Sequence, residues 1–186
     1  MFTAVAAILI VASTLVLLIS FYNRLVRLRN TVRASWSDID VQLKKRHDLV
    51  PNLMETVQEY ALHEKSVLQQ VTLARNSALE AAEPSAKGRA ENRLQETLKT
   101  LFALAEAYPD LKANSNFAQM QTQLQALETD LESARRFYNA VVRDYNTLIQ
   151  SFPSNLVASS FQFAPAEFFE LEAPAAERQP VKVHFS

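Results

Sequence analysis

The side chains that could carry acid–base or metal chemistry are few in this sequence. The chain has three His and no Cys among its 186 residues, which excludes thiol catalysis and thiolate metal sites. Glu59 and His63 are four residues apart and could share one face of a helix, but no second His is in register with them and no HExxH motif occurs. We therefore expect no catalytic residue, no metal site and no cofactor.

The densest run of charge is the segment 38–48. Asp40 and Lys44 are four residues apart, as are Lys44 and Asp48, and this is the spacing of ion pairs on a helix surface. We interpret the segment as a solvated face rather than a ligand site. His47 falls on its apolar side and is interpreted as a hydrogen-bonded histidine inside a helical bundle, with a pH-sensitive element near a membrane as the alternative.

Tyrosine and asparagine recur at a heptad spacing further along the chain, where Tyr138-Asn139 is followed by Tyr145-Asn146. Buried hydroxyl and amide groups need hydrogen-bond partners, so this layer is predicted to fix the register of its helix against the first helix. It is also a candidate docking surface. The candidate interaction layer consists of Arg135, Tyr138, Asn139, Arg143, Tyr145 and Asn146.

An alternative for the same region is a pocket for a phosphate or a carboxylate. Such a pocket would make the protein a ligand sensor or an enzyme, and it would use Arg135, Asn139, Arg143 and His47. Nucleic-acid binding is not expected, because the net charge is −1 and the basic residues are not interleaved with stacked aromatic residues.

The elements that position these residues are predicted to be helices. A single Gly nearly excludes hairpins and glycine-rich phosphate loops. Apolar residues recur with a mean period of 3.6 from Leu25 to Ala61, the period of an α-helix. Because this phase is unchanged across Pro51, we predict a kink there; a break, with Asp48 capping a new helix, is the competing interpretation.

The rest of the chain indicates three more helices. Apolar stripes cover 67–81 and 94–108, separated by a predicted loop at 82–89 and ended by Pro109. Asn114, Ser115 and Asn116 offer caps for a helix with a strict heptad stripe from Phe117 to Phe152, the pattern of a coiled-coil seam. The predicted fold is all-α: a transmembrane helix that continues into an antiparallel bundle of about four long helices.

The N-terminal segment Phe2–Tyr22 contains no charged residue. A helix of this length spans roughly 31 Å, enough to cross a hydrocarbon core. A cleaved signal peptide is the weaker interpretation, because no basic residue precedes the run and no small-residue cleavage site follows it.

The flanking charges predict the orientation of this segment. All 19 Lys and Arg residues follow position 23, and 24–46 carries seven basic against two acidic residues. The positive-inside bias places the N-terminus outside and the body in the cytoplasm. Arg24, Arg27 and Arg29 are predicted to lie at the membrane interface, near anionic head groups.

Three regions follow from these patterns: an anchor over 1–23, a cytoplasmic helical bundle over 24–153, and a C-terminal segment over 154–186. The C-terminal segment carries five Phe, which is too apolar for a solvated tail. We expect it to pack on the bundle as a short helix and an extended strap, with partner docking as the alternative.

The chain resembles the LemA family of small bacterial membrane proteins along nearly its whole length. The resemblance rests on a series of motifs in fixed order: YNRLVRLRNTVRASWSDIDVQLKKRHDLVPNLMETV (22–57), YALHE (60–64), YPDLKANSNF (108–117), ARRFYNAVVRDYN (134–146), SFPSNLVA (151–158), FQFAPAEFFE (161–170) and PVKVHF (180–185). It implies a single-pass protein of the bacterial cytoplasmic membrane with a helical cytoplasmic domain and no established catalytic residue. Glu59 and Gln162 stand where the family often has Gly and a small residue.

The leading hypothesis is a non-enzymatic, membrane-anchored scaffold or adaptor. Its expected partners are the lipid bilayer, a second copy of the chain and a protein complex; the resemblance implies a membrane protease or another envelope complex. An oligomeric membrane-remodelling coat is a second hypothesis.

Overall fold

The computed structural model describes residues 1–169, and within that range the chain is helical without a strand. The part of the Phe-rich tail from 170 to 186, including the predicted contacts of PVKVHF, lies outside the described residues. The helices are α1 (Phe2–Tyr60), α2 (Lys65–Glu80), α3 (Pro84–Ala105), α4 (Pro109–Lys112), α5 (Ser115–Gln150) and α6 (Ser154–Ser160). The predicted all-α class with about four long helices is confirmed.

Helix α1 runs without interruption through Pro51, so the alternative of a helix that ends there, with a new helix capped by Asp48, is wrong. Proline removes one intrahelical hydrogen bond, but the neighbouring Val50 and Leu53 are fully buried and hold the helix in its phase. At its other end α1 has a different surface. All residues from Met1 to Ser20 are exposed, and this segment is long and apolar enough to cross a membrane.

Both predicted interruptions between helices are present, but in each case the proline begins the next helix. The predicted loop at 82–89 is shorter, because α3 already begins at Pro84 and Gly88 is a buried residue inside that helix. Likewise Pro109 does not only end a helix but begins α4. Proline is favourable in the first turn of a helix because its fixed φ is already helical and its missing N–H has no partner to lose.

Hydrogen bonds of known types cap two of the helices. The Oδ1 atom of Asn114 accepts from the N–H groups of Asn116 at 2.8 Å and Phe117 at 3.1 Å, which confirms Asn114 as the cap of α5. At the end of α6 the N–H of Phe163 donates to Ala158 at 2.9 Å and that of Gln162 to Ser159 at 3.2 Å. This is a Schellman motif, and Gln162 takes the left-handed position with φ 54°.

The chain divides into two compact units. The first comprises Met1–Val41 and Glu132–Phe168, and among the described residues the second comprises Gln42–Leu131 and Phe169. Helices α1 and α5 each contribute one part to each unit.

The second unit is an up-and-down bundle of four helices. Arg46 pairs with Glu128, and Tyr60 accepts a hydrogen bond from Asn114, so α5 runs antiparallel to α1. Its apolar core is continuous. It includes Val50, Leu53, Val57, Val71, Leu94, Leu98, Leu101, Leu111, Phe117 and Leu124.

The first unit is an antiparallel pair formed by parts of α1 and α5. Helix α6 and an extended segment follow α5 and belong to the same unit. The ring of Trp36 on α1 lies 5.4 Å from that of Tyr138 on α5. Tyr145, two turns later on α5, lies in the field of Arg29 and Arg33, which precede Trp36 on α1. The extended segment 163–168 follows α6, and Phe163 is buried.

Candidate interaction site

Tyr138, in the predicted interaction layer, contacts the C-terminal segment. Its side chain is buried, and its hydroxyl donates to the backbone carbonyl of Glu167 at 2.8 Å. Burial, with a smaller contribution from the Glu167 carboxylate, raises the pKa of Tyr138 to about 12. The phenol is therefore a neutral donor at physiological pH, and it holds the extended segment against α5.

Asn146 holds the same segment at the neighbouring residue. Its Nδ2 atom donates to the carbonyl of Ala166 at 2.9 Å, and its Oδ1 atom accepts from the N–H of Ala166 at 2.9 Å. A side-chain amide thus satisfies both polar groups of one residue of the main chain. We call Tyr138 and Asn146 with their backbone partners at Ala166 and Glu167 the tail clasp.

Aromatic and cationic contacts fix the start of the same segment. The ring of Phe163 lies under the guanidinium of Arg29 at 4.9 Å and edge-on to the ring of Tyr22 at 5.9 Å. The ring of Tyr22 also lies 4.8 Å from that of Phe161. The pKa of Tyr145 is raised by burial, although the positive charges of Arg29 and Arg33 on α1 act in the opposite direction.

The other predicted residues are placed differently. Arg24 and Arg27 are exposed on α1, whereas Arg29 is half-buried against the tail. Arg143 is exposed, with its Nε atom 3.7 Å from Asp144 Oδ1. Arg135 and Asn139, which also belong to the candidate interaction layer, are half-buried on α5.

The second unit contains a buried ionic cluster, made of Arg46, His47, Glu91 and Glu128. The Glu91 carboxylate is fully buried, 2.7 Å from His47 Nε2 and 3.4 Å from Arg46 Nη1. Arg46 also pairs with Glu128, whose other oxygen accepts from Gln95 at 2.7 Å. Charges buried at this depth need such partners, because each has lost its hydration.

This cluster confirms one interpretation of the charged segment and corrects another. His47 is a hydrogen-bonded histidine inside the bundle, as predicted. Arg46, however, is 5% exposed and not part of a solvated face. Lys44 and Asp48 do form the predicted surface ion pair, at 3.0 Å.

A cavity of about 220 Å³ adjoins the ionic cluster, with Arg46, Glu128, Gln95 and Phe102 among its lining residues. The positive charge of Arg46 is already shared by two carboxylates, so it offers little attraction to an anion. Among the described residues, no group of three or more His, Cys, Asp or Glu is placed to hold a metal ion. Glu59 and His63 are both exposed.

Comparison with known proteins places this architecture in a family. The sequence model described as "LemA family" matches residues 35–185. The chain belongs to the LemA family. A magnetosome protein, MamQ 2 of Paramagnetospirillum magneticum, is 25% identical over 93% of this chain and 73% of its own length. Protein LemA of Metamycoplasma hominis is 24% identical over 80% of this chain and 68% of its own length.

The LemA family match covers both polar sites and excludes the apolar segment. The tail clasp and the ionic cluster both fall within 35–185, whereas the apolar N-terminal segment precedes it.

Sequence reasoning missed the ionic cluster, although one signal was present. Glu91 lies three residues before Leu94 and seven before Leu98, which puts a carboxylate in register with the apolar stripe of α3. A charge at such a position needs a partner of opposite charge. The sequence does not say which of the basic residues supplies it.

Proposed function

We propose that this LemA family protein is a non-enzymatic membrane-anchored scaffold. The observation that carries the proposal is the use of its buried polar groups. Tyr138 and Asn146 bond to the chain's own backbone, and Arg46 and His47 both bond to Glu91. Groups so engaged hold elements in place and have little capacity left to bind or transform a substrate.

The proposed orientation follows from the charges beside the apolar segment. Arg24 and Arg27 are exposed on α1 directly after Phe2–Tyr22, where anionic lipid head groups would attract them. With the positive flank retained inside, the helical body faces the cytoplasm of a bacterial cell.

The orientation can be tested with single cysteines, because the chain has none of its own. Leu73 is 63% exposed on α2, so Leu73→Cys gives an accessible thiol. A membrane-impermeant maleimide is expected to label it in opened cells and not in intact ones. Labelling in intact cells would contradict a cytoplasmic body.

The proposed docking surface is the outer side of α5 beside the tail clasp. Phe137 is 56% exposed there and is flanked by Arg136 and Arg135. An exposed aromatic ring among arginines is typical of a protein interface. We propose a membrane protein complex as the partner, with a second copy of this chain as the alternative.

A photo-crosslinking residue at position 137 tests the scaffold role in native membranes. We expect one discrete product of higher mass, identified by mass spectrometry as a partner or as a second copy. The same residue at position 73 is the matched control and should give none. Monomer alone at position 137 would contradict the scaffold proposal.

A further inference from the structure

Helix α6 belongs to a long stretch without charge. From Tyr145 to Ala166 no residue is charged. Several of its apolar side chains are nevertheless exposed: Phe152 by 80%, Leu156 by 56% and Phe161 by 60%. A surface facing water usually carries charged residues, so this surface is adapted to a different surrounding.

The uncharged stretch lies beside the end of the apolar N-terminal segment. Tyr22 contacts Phe161, and a cavity of about 390 Å³ separates α6 from α1. The cavity is lined on α1 by Leu15, Leu18, Ile19 and Tyr22, and on α6 by Leu156, Val157, Ser160 and Phe161. No charged residue lines it.

The position of this cavity along the membrane normal follows from helix geometry. Leu15 and Tyr22 are separated by about two turns, or roughly 10 Å along the helix axis, and the first charged residue, Arg24, follows within half a turn. If Phe2–Tyr22 spans the hydrocarbon core, this end of it meets the head-group region. Helix α6 then lies beside the boundary between acyl chains and head groups, where Phe and Leu side chains partition favourably.

We propose that α6 is an interfacial helix whose Phe152, Leu156 and Phe161 side chains insert among the lipids beside α1, and that a phospholipid acyl chain fills the cavity between α6 and α1. The cavity has room for roughly a dozen groups the size of water or methylene. Its wall is continuous with the lipid-facing surface of α1, which favours an acyl chain as the occupant. This inference rests on the proposed membrane span of α1.

Spin labels on single cysteines test the position of α6. Leu156→Cys and Phe161→Cys report on the helix, Leu73→Cys is a control for water, and Val11→Cys is a control for the apolar segment. Full-length protein in vesicles of phosphatidylcholine and phosphatidylglycerol is exposed to oxygen, which partitions into lipid, and to a polar nickel chelate, which stays in water. We expect the ratio of the two accessibilities at 156 and 161 to exceed that at 73 severalfold and to approach that at 11.

Two outcomes would overturn the inference. A ratio at 156 and 161 equal to that at 73 would place α6 in water, and low accessibility to both reagents would mean that protein covers it, as in contact with a second copy. A lipid-like value at 11 in either case would leave the membrane span intact. A water-like value at 11 would instead contradict the span itself.

A second measurement uses the unaltered chain and addresses the cavity. A phospholipid with a photoreactive group on its acyl chain is irradiated in the same vesicles, and the adducts are mapped by mass spectrometry. We expect adducts on 152–161 as well as on the apolar segment 2–22. Adducts confined to 2–22 would overturn the proposal that an acyl chain occupies the cavity.

Discussion

The two units of this protein solve the same problem, the burial of polar side chains, with different chemistry. In the second unit, the buried charges of Glu91 and Arg46 pair with each other, and His47 forms a hydrogen bond with the same carboxylate. In the first unit, the neutral side chains Tyr138 and Asn146 bind the main chain of the extended segment. The two units should therefore respond differently when one partner of a buried polar group is removed.

Removing Glu91 from the ionic cluster leaves Arg46 with Glu128 as its remaining carboxylate and leaves His47 without the buried acceptor of its hydrogen bond. In a low-dielectric core, these losses cost more than one hydrogen bond that water can replace. Removing one member of the tail clasp leaves a backbone group that can turn to water. The second unit should therefore fail as a whole, whereas the first should release its tail locally.

The largest expected effect is that of Glu91→Ala in the ionic cluster. The variant leaves Arg46 and His47 without their shared carboxylate and should lower the free energy of unfolding by about 3–5 kcal/mol. Urea unfolding in detergent, followed by circular dichroism, measures this. Glu96→Ala, at an exposed position of the same helix, is the control and should change stability by less than about 0.5 kcal/mol. Equal effects of the two variants would remove the contrast between the units.

The next effect is that of Asn146→Ala in the tail clasp. Loss of both hydrogen bonds to Ala166 should cost about 1–3 kcal/mol, and the loss should be local. We expect faster amide hydrogen exchange over 163–168 and unchanged exchange over 42–131. Gln150→Ala, an exposed position on the same helix, should leave both regions unchanged. Faster exchange throughout the chain after Asn146→Ala would show that the clasp supports more than the tail.

A smaller effect should appear at alkaline pH through Tyr138. Because its pKa is raised from 10.0 to about 12 in the folded protein, its contribution is complete below pH 10 and is lost as the pH rises toward 12. The loss should be about 1–2 kcal/mol. The difference in unfolding free energy between the wild type and Tyr138→Phe should shrink by that amount over this range. A constant difference would mean that the phenol ionises at the same pH in the folded and the unfolded chain, so that its pKa is not raised by folding.

The smallest effect is a gain in stability from Gln162→Gly. Gln162 has φ 54° at the end of α6, and a left-handed conformation is unfavourable for a residue with a side chain. Glycine removes this cost but loses more chain entropy on folding, so we expect a net gain of about 0.5–1 kcal/mol. Gln123→Gly, at an exposed position in the interior of α5, should destabilise instead. A loss of stability in Gln162→Gly would show that its side chain makes a compensating contact.

Sequence patterns predicted the features that depend on neighbouring residues. The apolar period that begins at Leu25 lies in one continuous helix as far as Tyr60, and Asn114 caps α5. The same local reasoning did not predict that helices begin at Pro84 and Pro109, because proline is compatible both with ending a helix and with starting one. Which of the two occurs depends on the packing of the residues that follow.

Periodicity, helix caps and hydrophobic length are local properties of the sequence. They were sufficient to predict the class of fold, the positions of the long helices and the apolar segment that can cross a membrane. Only the tertiary structure decided which polar groups meet. Arg46 pairs with Glu91, 45 residues away in the sequence, and with Glu128, 82 residues away. The Tyr138 hydroxyl donates to the carbonyl of Glu167, 29 residues away. Such partners are chosen by helix register and by the return of the chain, since a buried donor can be satisfied by any acceptor that packing brings within about 3 Å.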